Sequence, residues 1–306
     1  MIGALAGVFV QIIFPVVAIV AIGYLLGRHR PIDLGGVTTL SVSVLIPAIV
    51  FDSLTRAAVP RELLARLILH VGVQLLCIGL LTSAAARVLG WRGPSGAALL
   101  MAALFGNSGN IGLPLALFGF GQAGLAIAGS WFAVHAISVH TLGVFIAARA
   151  RTGARAALAR LVRLPILYAI VAGIVVNVSG WPPPAPVTKA IQLLAAGSLA
   201  VLLLLVGLHL PGLAPRPEAG GATLAAAIRL LAAPPIAWLT GRLLGLDGVA
   251  LSVAVMQASM PTAVTAALWA MEFDTRPALV AAAVVLSTVA SAFTLTLLLT
   301  VLTTRW

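Results

Sequence analysis

Long apolar segments recur along the whole chain, separated by short stretches that carry charges, glycine or proline. An α-helix needs about 20 mainly apolar residues to cross a bilayer. Ten segments meet or approach that length: 5–26, 35–55, 63–88, 96–118, 123–147, 163–180, 187–209, 223–244, 248–270 and 277–300. Because Asp, Glu, Lys and Arg are absent from Gly93 to Ala148, too long a run for one span, a tight turn is predicted at 119–122. The pattern predicts an all-α integral membrane protein with ten transmembrane helices.

Composition excludes a soluble domain. Of the 306 residues, 61% are hydrophobic and 8% are charged, whereas a soluble domain carries about 25% charged residues. The net charge of +11 comes from basic residues at the ends of apolar segments, without the interleaved aromatics of a nucleic-acid-binding face. The predicted partner is therefore the lipid bilayer, not nucleic acid. The lone Cys77 provides neither a disulfide nor a cysteine metal site, so no metal is predicted.

The basic residues also predict orientation, since cytoplasmic loops are enriched in Lys and Arg. The loop 149–162 is the most basic, so we place it in the cytoplasm. Twelve basic residues then lie inside and six outside, and both termini lie outside the cytoplasm. The inside set is Arg28, Arg30, Arg87, Arg92, Arg149, Arg151, Arg155, Arg160, Arg163, Arg216, Arg229 and Arg276. The outer cluster of Arg56, Arg61 and Arg66 runs against this orientation.

The ten spans divide at the basic loop into 1–148 and 163–306, with five spans each. An odd number of spans per half inserts the halves in opposite orientations, the arrangement of inverted-repeat transporters. The fourth span of each half is broken at its middle. GNSGNIGLP, residues 106–114, interrupts the first, and Pro261 interrupts the second, VAVMQASMPTAVTAAL.

A broken helix at membrane depth exposes polar backbone groups that lipid cannot satisfy, so each break must face protein or a water-filled cavity. We predict that Pro114 and Pro261 each begin a second half-helix, because proline is tolerated at a helix start. The two N-termini would face the bilayer middle from opposite sides and attract an anion. The predicted substrate-binding residues are Asn107, Ser108, Asn110, Pro114, Gln257, Pro261 and Thr262. A plain kink is the alternative, and it is our interpretation for Pro15, Pro47 and Pro165.

Ionisable side chains inside spans are candidates for coupling. His135, His140 and Asp52 are the candidates here, because histidine titrates near neutral pH and could carry a coupled proton. Packing or interfacial roles are the alternative, and they are favoured for His70 and His209. Asp52 has the further alternative of pairing with Arg56 at the membrane surface. Sodium prefers oxygen ligands. The lack of a central carboxylate in spans four and nine disfavours sodium, although amide, hydroxyl and carbonyl oxygens could still bind it.

The motif G-N-x-G-N-x-G-L-P resembles the auxin efflux carrier family of membrane transporters, which includes bacterial malate and malonate permease homologues. Three further segments are similar to that family: FPVVAIVAIGYLLGR in span one, LSVSVLIPAIVFDSL in span two and MQASMPTAVTAALWA in span nine. The resemblance covers essentially the whole chain. The short central loop is that of the compact bacterial type, which implies the bacterial inner membrane.

The resemblance implies a ten-helix inverted repeat related to bile-acid sodium symporters. It implies a scaffold of spans 1, 2, 6 and 7, often dimeric, and a transport domain of spans 3–5 and 8–10. Spans four and nine would cross within that domain, with Asn107, Asn110 and Pro114 at the first crossover and Pro261 at the second. An elevator-like movement would carry an organic anion.

The predicted function is therefore secondary active transport of a small carboxylate, such as malate, malonate or an auxin-like monocarboxylate, without a cofactor and with proton or sodium coupling. A sodium-coupled symporter is the alternative within this class. A membrane-embedded enzyme would need a nucleophile with an acid–base partner or a metal, and no basic partner for Ser108 is evident from sequence. A channel would need no paired broken helices.

Overall fold

A computed structural model describes residues 2–56, 60–143, 145–146, 165–181, 183–213 and 218–303. The predicted basic loop 149–162 lies outside the described residues. The described part is helical apart from one isolated β-bridge. Its helices are α1 (Gly3–His29), α2 (Leu34–Asp52, continuing to Arg56), α3 (Arg61–Val88), α4 (Pro94–Leu104), α5 (Gly112–Gly143), α6 (Pro165–Ser179), α7 (Ala185–His209), α8 (Gly220–Leu243), α9 (Gly248–Ala258), α10 (Val264–Glu272) and α11 (Pro277–Thr303).

Seven described helices, α1, α2, α3, α5, α7, α8 and α11, are long and apolar enough to cross a membrane. The shorter apolar helices α4, α6 and α9 have 11, 15 and 11 residues. The predicted fourth span contains α4, a break and the first turns of α5. The predicted ninth contains α9, a break and α10. Helical dihedral angles are interrupted at Gly121, with φ 66° and ψ −160°, inside the turn predicted at 119–122.

Left-handed backbone conformations recur at a fixed spacing. Gly90 and Gly93, between α3 and α4, have φ of 68° and 56°. Gly245, between α8 and α9, and Gly248, the first residue of α9, have φ of 71° and 52°. Both pairs belong to the pattern L-G-x-x-G. Gly121 within α5 likewise corresponds to Arg276 before α11, which has φ 43°. The left-handed positions 90, 93 and 121 are thus matched by left-handed positions 155 residues later, at 245, 248 and 276.

The helices form two groups by their packing. Helices α1, α2, α6 and α7 contact one another, most extensively α1 with α7 and α2 with α6. Helices α3, α4, α8, α9 and α11 contact one another and also contact α5. The two groups meet mainly where α2 packs on α5 and where the start of α1 packs on α11.

Helices α1 and α7 pack backbone to backbone. A Cβ atom at Gly207 would lie 2.1 Å from the carbonyl oxygen of Val20 and 2.6 Å from the amide nitrogen of Tyr24. A Cβ atom at Gly23 would lie 2.3 Å from the carbonyl oxygen of Leu204. Small residues allow such an approach in membranes, where van der Waals contact between helices replaces the hydrophobic effect.

Candidate substrate-binding site

The two helix breaks pair with each other through the backbone. The amide N–H of Asn107 donates to the carbonyl of Pro261 (N to O 2.7 Å), and the N–H of Ala263 donates to the carbonyl of Phe105 (2.8 Å). These bonds flank an antiparallel bridge between Gly106 and Thr262. Since an unpaired buried backbone group costs about as much as a lost hydrogen bond, this pairing lets two helices stop inside the protein.

The prolines of the two breaks differ in position. Pro114 is the third residue of α5, within its first turn, as predicted. The prediction that Pro261 begins a half-helix is wrong, because α10 begins at Val264 and Ala263 is its cap. Pro261 lies in the paired segment, where its carbonyl is used and its missing N–H costs nothing.

A cavity of about 330 Å³ adjoins the first break. Helix α2 and the start of α6 form one wall, and the break, α5 and α10 form the other. The residues that line the cavity include Asn107, Ser108, Gly109, Asn110, Phe132, His135, Ala263, Thr265, Leu268, Trp269 and Glu272. Asn107, Ser108 and Asn110 of the predicted set therefore come together here, whereas Pro114, Gln257, Pro261 and Thr262 do not line the cavity.

Residues that line this cavity carry hydrogen-bond donors without acceptors. Within the described residues, the backbone N–H groups of Ser108, Gly109 and Asn110, which precede α5, donate no hydrogen bond. The side-chain Nδ2 of Asn107 is buried and also has no partner there. The start of α10, at Ala263 and Thr265, borders the same cavity. Two helix N-termini, which carry partial positive charge, thus converge on one space.

Gln257 and Thr262 do not line the cavity and instead contact neighbouring helices. The Nε2 of Gln257 donates to the carbonyl of Ala128 (3.3 Å). A Cβ atom at Gly112 would meet the Gln257 side chain at 2.0 Å, so this side chain packs on the first turn of α5. Thr262 donates its hydroxyl to the carbonyl of Ala102 (2.9 Å) and its N–H to Ser287 Oγ (2.9 Å). These contacts fix the backbone that carries the donors.

Ser108 has a basic partner that sequence did not reveal. Its Oγ lies 2.9 Å from Nδ1 of His135 on α5. The His135 ring stacks on Trp131, with centroids 4.9 Å apart, and Trp131 Nε1 donates to Nδ1 of His70 (3.2 Å). Nε2 of His70 contacts the carbonyl of Ala237 (2.9 Å). Both ring nitrogens of His70 are therefore used in packing, whereas His135 lines the cavity.

The other coupling candidates lie elsewhere. Asp52 is half-buried near the end of α2 and does not line the cavity. The side chains of His140 and of Arg56, the alternative partner of Asp52, are outside the described residues. Glu272, which sequence reasoning did not select, lines the cavity from the end of α10. The described part of the chain contains no group of three or more His, Cys, Asp or Glu side chains placed to hold a metal ion.

Arg229 was assigned to the cytoplasmic surface, and that assignment is wrong. Its side chain is 1% exposed, inside α8, and its guanidinium donates to carbonyls next to both breaks. A signal was available, because Arg229 lies well inside the predicted span 223–244 rather than at its end. Without Arg229, the predicted inner side keeps eleven basic residues against six outside.

Comparison with known proteins places the chain among membrane transporters. Residues 8–299 match the family described as membrane transport protein. An uncharacterized transporter of Methanothermobacter thermautotrophicus is 28% identical over 296 residues, covering 94% of this chain and 96% of the relative. An uncharacterized transporter of Methanocaldococcus jannaschii is 21% identical over 254 residues, covering 81% of this chain and 82% of the relative. Auxin efflux carrier component 1 of Arabidopsis thaliana is 30% identical over 133 residues, which are 41% of this chain and 21% of the plant protein.

These matches agree with the resemblance carried by GNSGNIGLP and with the apolar helices of the fold. The chain therefore belongs to the membrane transport protein family, the family of the auxin efflux carriers, and is a multi-pass membrane transporter.

Proposed function

We propose that this transporter carries small organic anions by a secondary active mechanism and binds the substrate carboxylate in the cavity at the first break. The observation that carries the proposal is the set of unpaired donors at the start of α5: Asn107 Nδ2 and the N–H groups of Ser108, Gly109 and Asn110. A carboxylate would satisfy them at the positive end of a helix. Charge-assisted hydrogen bonds of this kind are roughly twice as strong as neutral ones.

The apolar part of the cavity lining favours a substrate with an apolar body. Phe132, Leu268 and Trp269 line it together with the donors. An apolar wall with a few placed polar groups is typical of small-molecule sites. An auxin-like monocarboxylate matches this lining better than malate or malonate, whose second carboxylate would be desolvated in a cavity that is already lined by the Glu272 carboxylate.

A five-plus-five inverted repeat is part of the proposal, with halves 1–148 and 163–306 joined by the cytoplasmic loop 149–162. The recurrence of left-handed positions 155 residues apart supports it. The backbone pairing of the breaks supports a crossing of the fourth and ninth spans. The Arg276 guanidinium contacts Ser95 Oγ (2.8 Å) and Glu218 (2.6 Å). Spans four, eight and ten therefore start on the same side of the membrane. The proposed topology, with both termini outside the bacterial inner membrane, requires this.

An elevator movement is proposed between the two helix groups. Helices α1, α2, α6 and α7 would be the scaffold, and the remaining helices would carry the substrate. A second cavity of about 560 Å³, lined by α1, α11 and Ile111, separates the groups beyond the break. Such space between the groups would let the substrate-carrying helices move as a rigid body relative to the scaffold, as alternating access requires. Homodimerisation would use the scaffold, where Tyr168, Val171 and Val175 expose an apolar stripe on α6.

Uptake into liposomes tests the function. Purified protein is reconstituted, and saturable uptake and counterflow of labelled indole-3-acetate, malate and malonate are measured against protein-free liposomes. We expect indole-3-acetate to accumulate with the lowest KM and to be recovered chemically unchanged. Conversion of the label to a product would favour an enzyme built on Ser108 and His135, and flux without counterflow would favour a channel. Either result would contradict the carrier.

Proton coupling through His135 is a separate prediction. The Ser108–His135 contact links an ionisable ring to the backbone that holds the anion. We expect an inward proton gradient to stimulate uptake by wild type and by His209→Gln, whose imidazole bonds Leu205 outside the cavity. In His135→Gln the stimulation should be lost while gradient-independent exchange remains. Equal stimulation of both variants would rule out His135, and absence of stimulation in wild type would rule out proton coupling.

A further inference from the structure

Arg229 joins the ends of both broken helices. Its Nη2 lies 2.8 Å from the carbonyl oxygens of Ala258 and Met260, at the end of α9, and its Nε lies 3.1 Å from Met260. Its Nη1 lies 3.4 Å from the carbonyl oxygens of Ala103 and Leu104, at the end of α4. All five bonds go to backbone carbonyls, so among the described residues no carboxylate neutralises this buried charge.

The converging helix ends favour a cation between them. The last carbonyls of a helix have no intrahelical partner and carry partial negative charge. Two such ends meet here in a water-poor interior, where unsatisfied acceptors are costly. In transporters with broken helices, carbonyls at half-helix C-termini are the groups that coordinate a coupling ion such as sodium.

We infer that the guanidinium of Arg229 is a resident cation that occupies the place of an alkali metal ion, so that the paired breaks assemble without sodium or potassium. This inference rests on the proposed carrier function, whose coupling ion it restricts. Gly106 agrees with it, because a Cβ atom there would lie 2.0 Å from Arg229 Nη2. The first glycine of GNSGNIGLP thus makes room for the resident cation, while the four residues after it line the substrate cavity.

The test is thermal unfolding of the purified protein in detergent, in sodium, potassium or choline chloride at equal ionic strength. Wild type should unfold at the same Tm in all three salts. Arg229→Ala should lower Tm by about 10 °C, because buried backbone carbonyls at both breaks lose their donor. Millimolar guanidinium, or sodium in place of choline, should restore part of that loss by binding the exposed carbonyls. Because Arg229→Lys keeps the charge, its Tm should lie between the Tm of wild type and that of Arg229→Ala.

Arg242→Ala is the matched control, because Arg242 lies on the same helix and is exposed. Its Tm should equal that of wild type and respond to no cation. A wild type stabilised by sodium would overturn the inference, and so would an Arg229→Ala protein indifferent to guanidinium and to sodium. If Arg229→Ala cannot be purified, the inference is tested by the Tm of wild type and of Arg229→Lys in the three salts. Stabilisation of Arg229→Lys by sodium would also overturn the inference.

The thermal measurement needs no substrate, so it separates this inference from the carrier function. Failure of every carboxylate to enter liposomes would count against the proposed function and leave the Tm results standing. If uptake by wild type requires sodium, the inference that Arg229 is a resident cation is overturned, whereas the proposed carrier function is not contradicted.

Discussion

Asn107→Asp should reduce kcat/KM for carboxylate uptake by about a hundredfold, equivalent to about 2.7 kcal/mol. The new carboxylate would sit beside the N–H groups of Ser108, Gly109 and Asn110 and accept their hydrogen bonds, as aspartate does at a helix N-cap. The substrate would lose its donors and meet a like charge in a poorly solvated cavity. Uptake into liposomes, with initial rates over a range of substrate concentrations, measures the effect.

Stability separates this effect from misfolding. Because aspartate would satisfy donors that are now unpaired, the Tm of Asn107→Asp should be equal to or above that of wild type. Asn177→Asp is the matched control, since Asn177 lies on α6 and donates to the carbonyl of Leu54 (3.0 Å), away from the cavity. Its kcat/KM should stay close to wild type. An Asn107→Asp protein that transports normally would show that the anion binds elsewhere.

Gly207→Val should lower the apparent Tm by about 5 °C or more, because overpacking of a close helix contact costs about 1–3 kcal/mol. A Cβ atom at this position would meet the backbone of Val20 and Tyr24 on α1, and neither helix can move its main chain cheaply. Thermal unfolding followed by tryptophan fluorescence measures the change.

Gly197→Val is the control for this substitution. Gly197 lies on the same helix, α7, but no heavy atom lies within 4 Å of its hypothetical Cβ. The control should therefore keep the wild-type Tm. If the Tm of both valine variants falls by the same amount, the difference in helix propensity between glycine and valine explains the loss, and the α1–α7 contact does not.

Hydropathy was informative about the spans because each membrane helix satisfies its own backbone hydrogen bonds, so segment length and apolar content are sufficient. The broken fourth span could also be predicted, since glycine, asparagine and proline rarely cluster inside such a segment. The turn in α5 was predictable only to a four-residue stretch. Its position at Gly121 depends on a positive φ, which glycine permits but does not require.

Contacts between distant segments could not be predicted. The position of Pro261 depends on its partner Asn107 in the other break, and no local pattern records that pairing. Gln257 and Thr262 carry the right polar atoms but are turned toward Ala128 and Ala102. Ser108 and His135 are 27 residues apart and meet only because α5 turns at Gly121. By contrast, the repeated L-G-x-x-G pattern was visible in the sequence.

The mutual pairing of the breaks has a consequence for biosynthesis. When the first half of the chain has been inserted, the carbonyl of Phe105 and the N–H of Asn107 are still without the partners that the native fold provides. Those partners are residues 261–263, which the ribosome has yet to make. Polar backbone groups at membrane depth are unstable alone. We therefore expect the residues around the first break to stay incompletely folded until residues 261–263 have been inserted, and a chain cut short before Pro261 to be a substrate for membrane quality-control proteases.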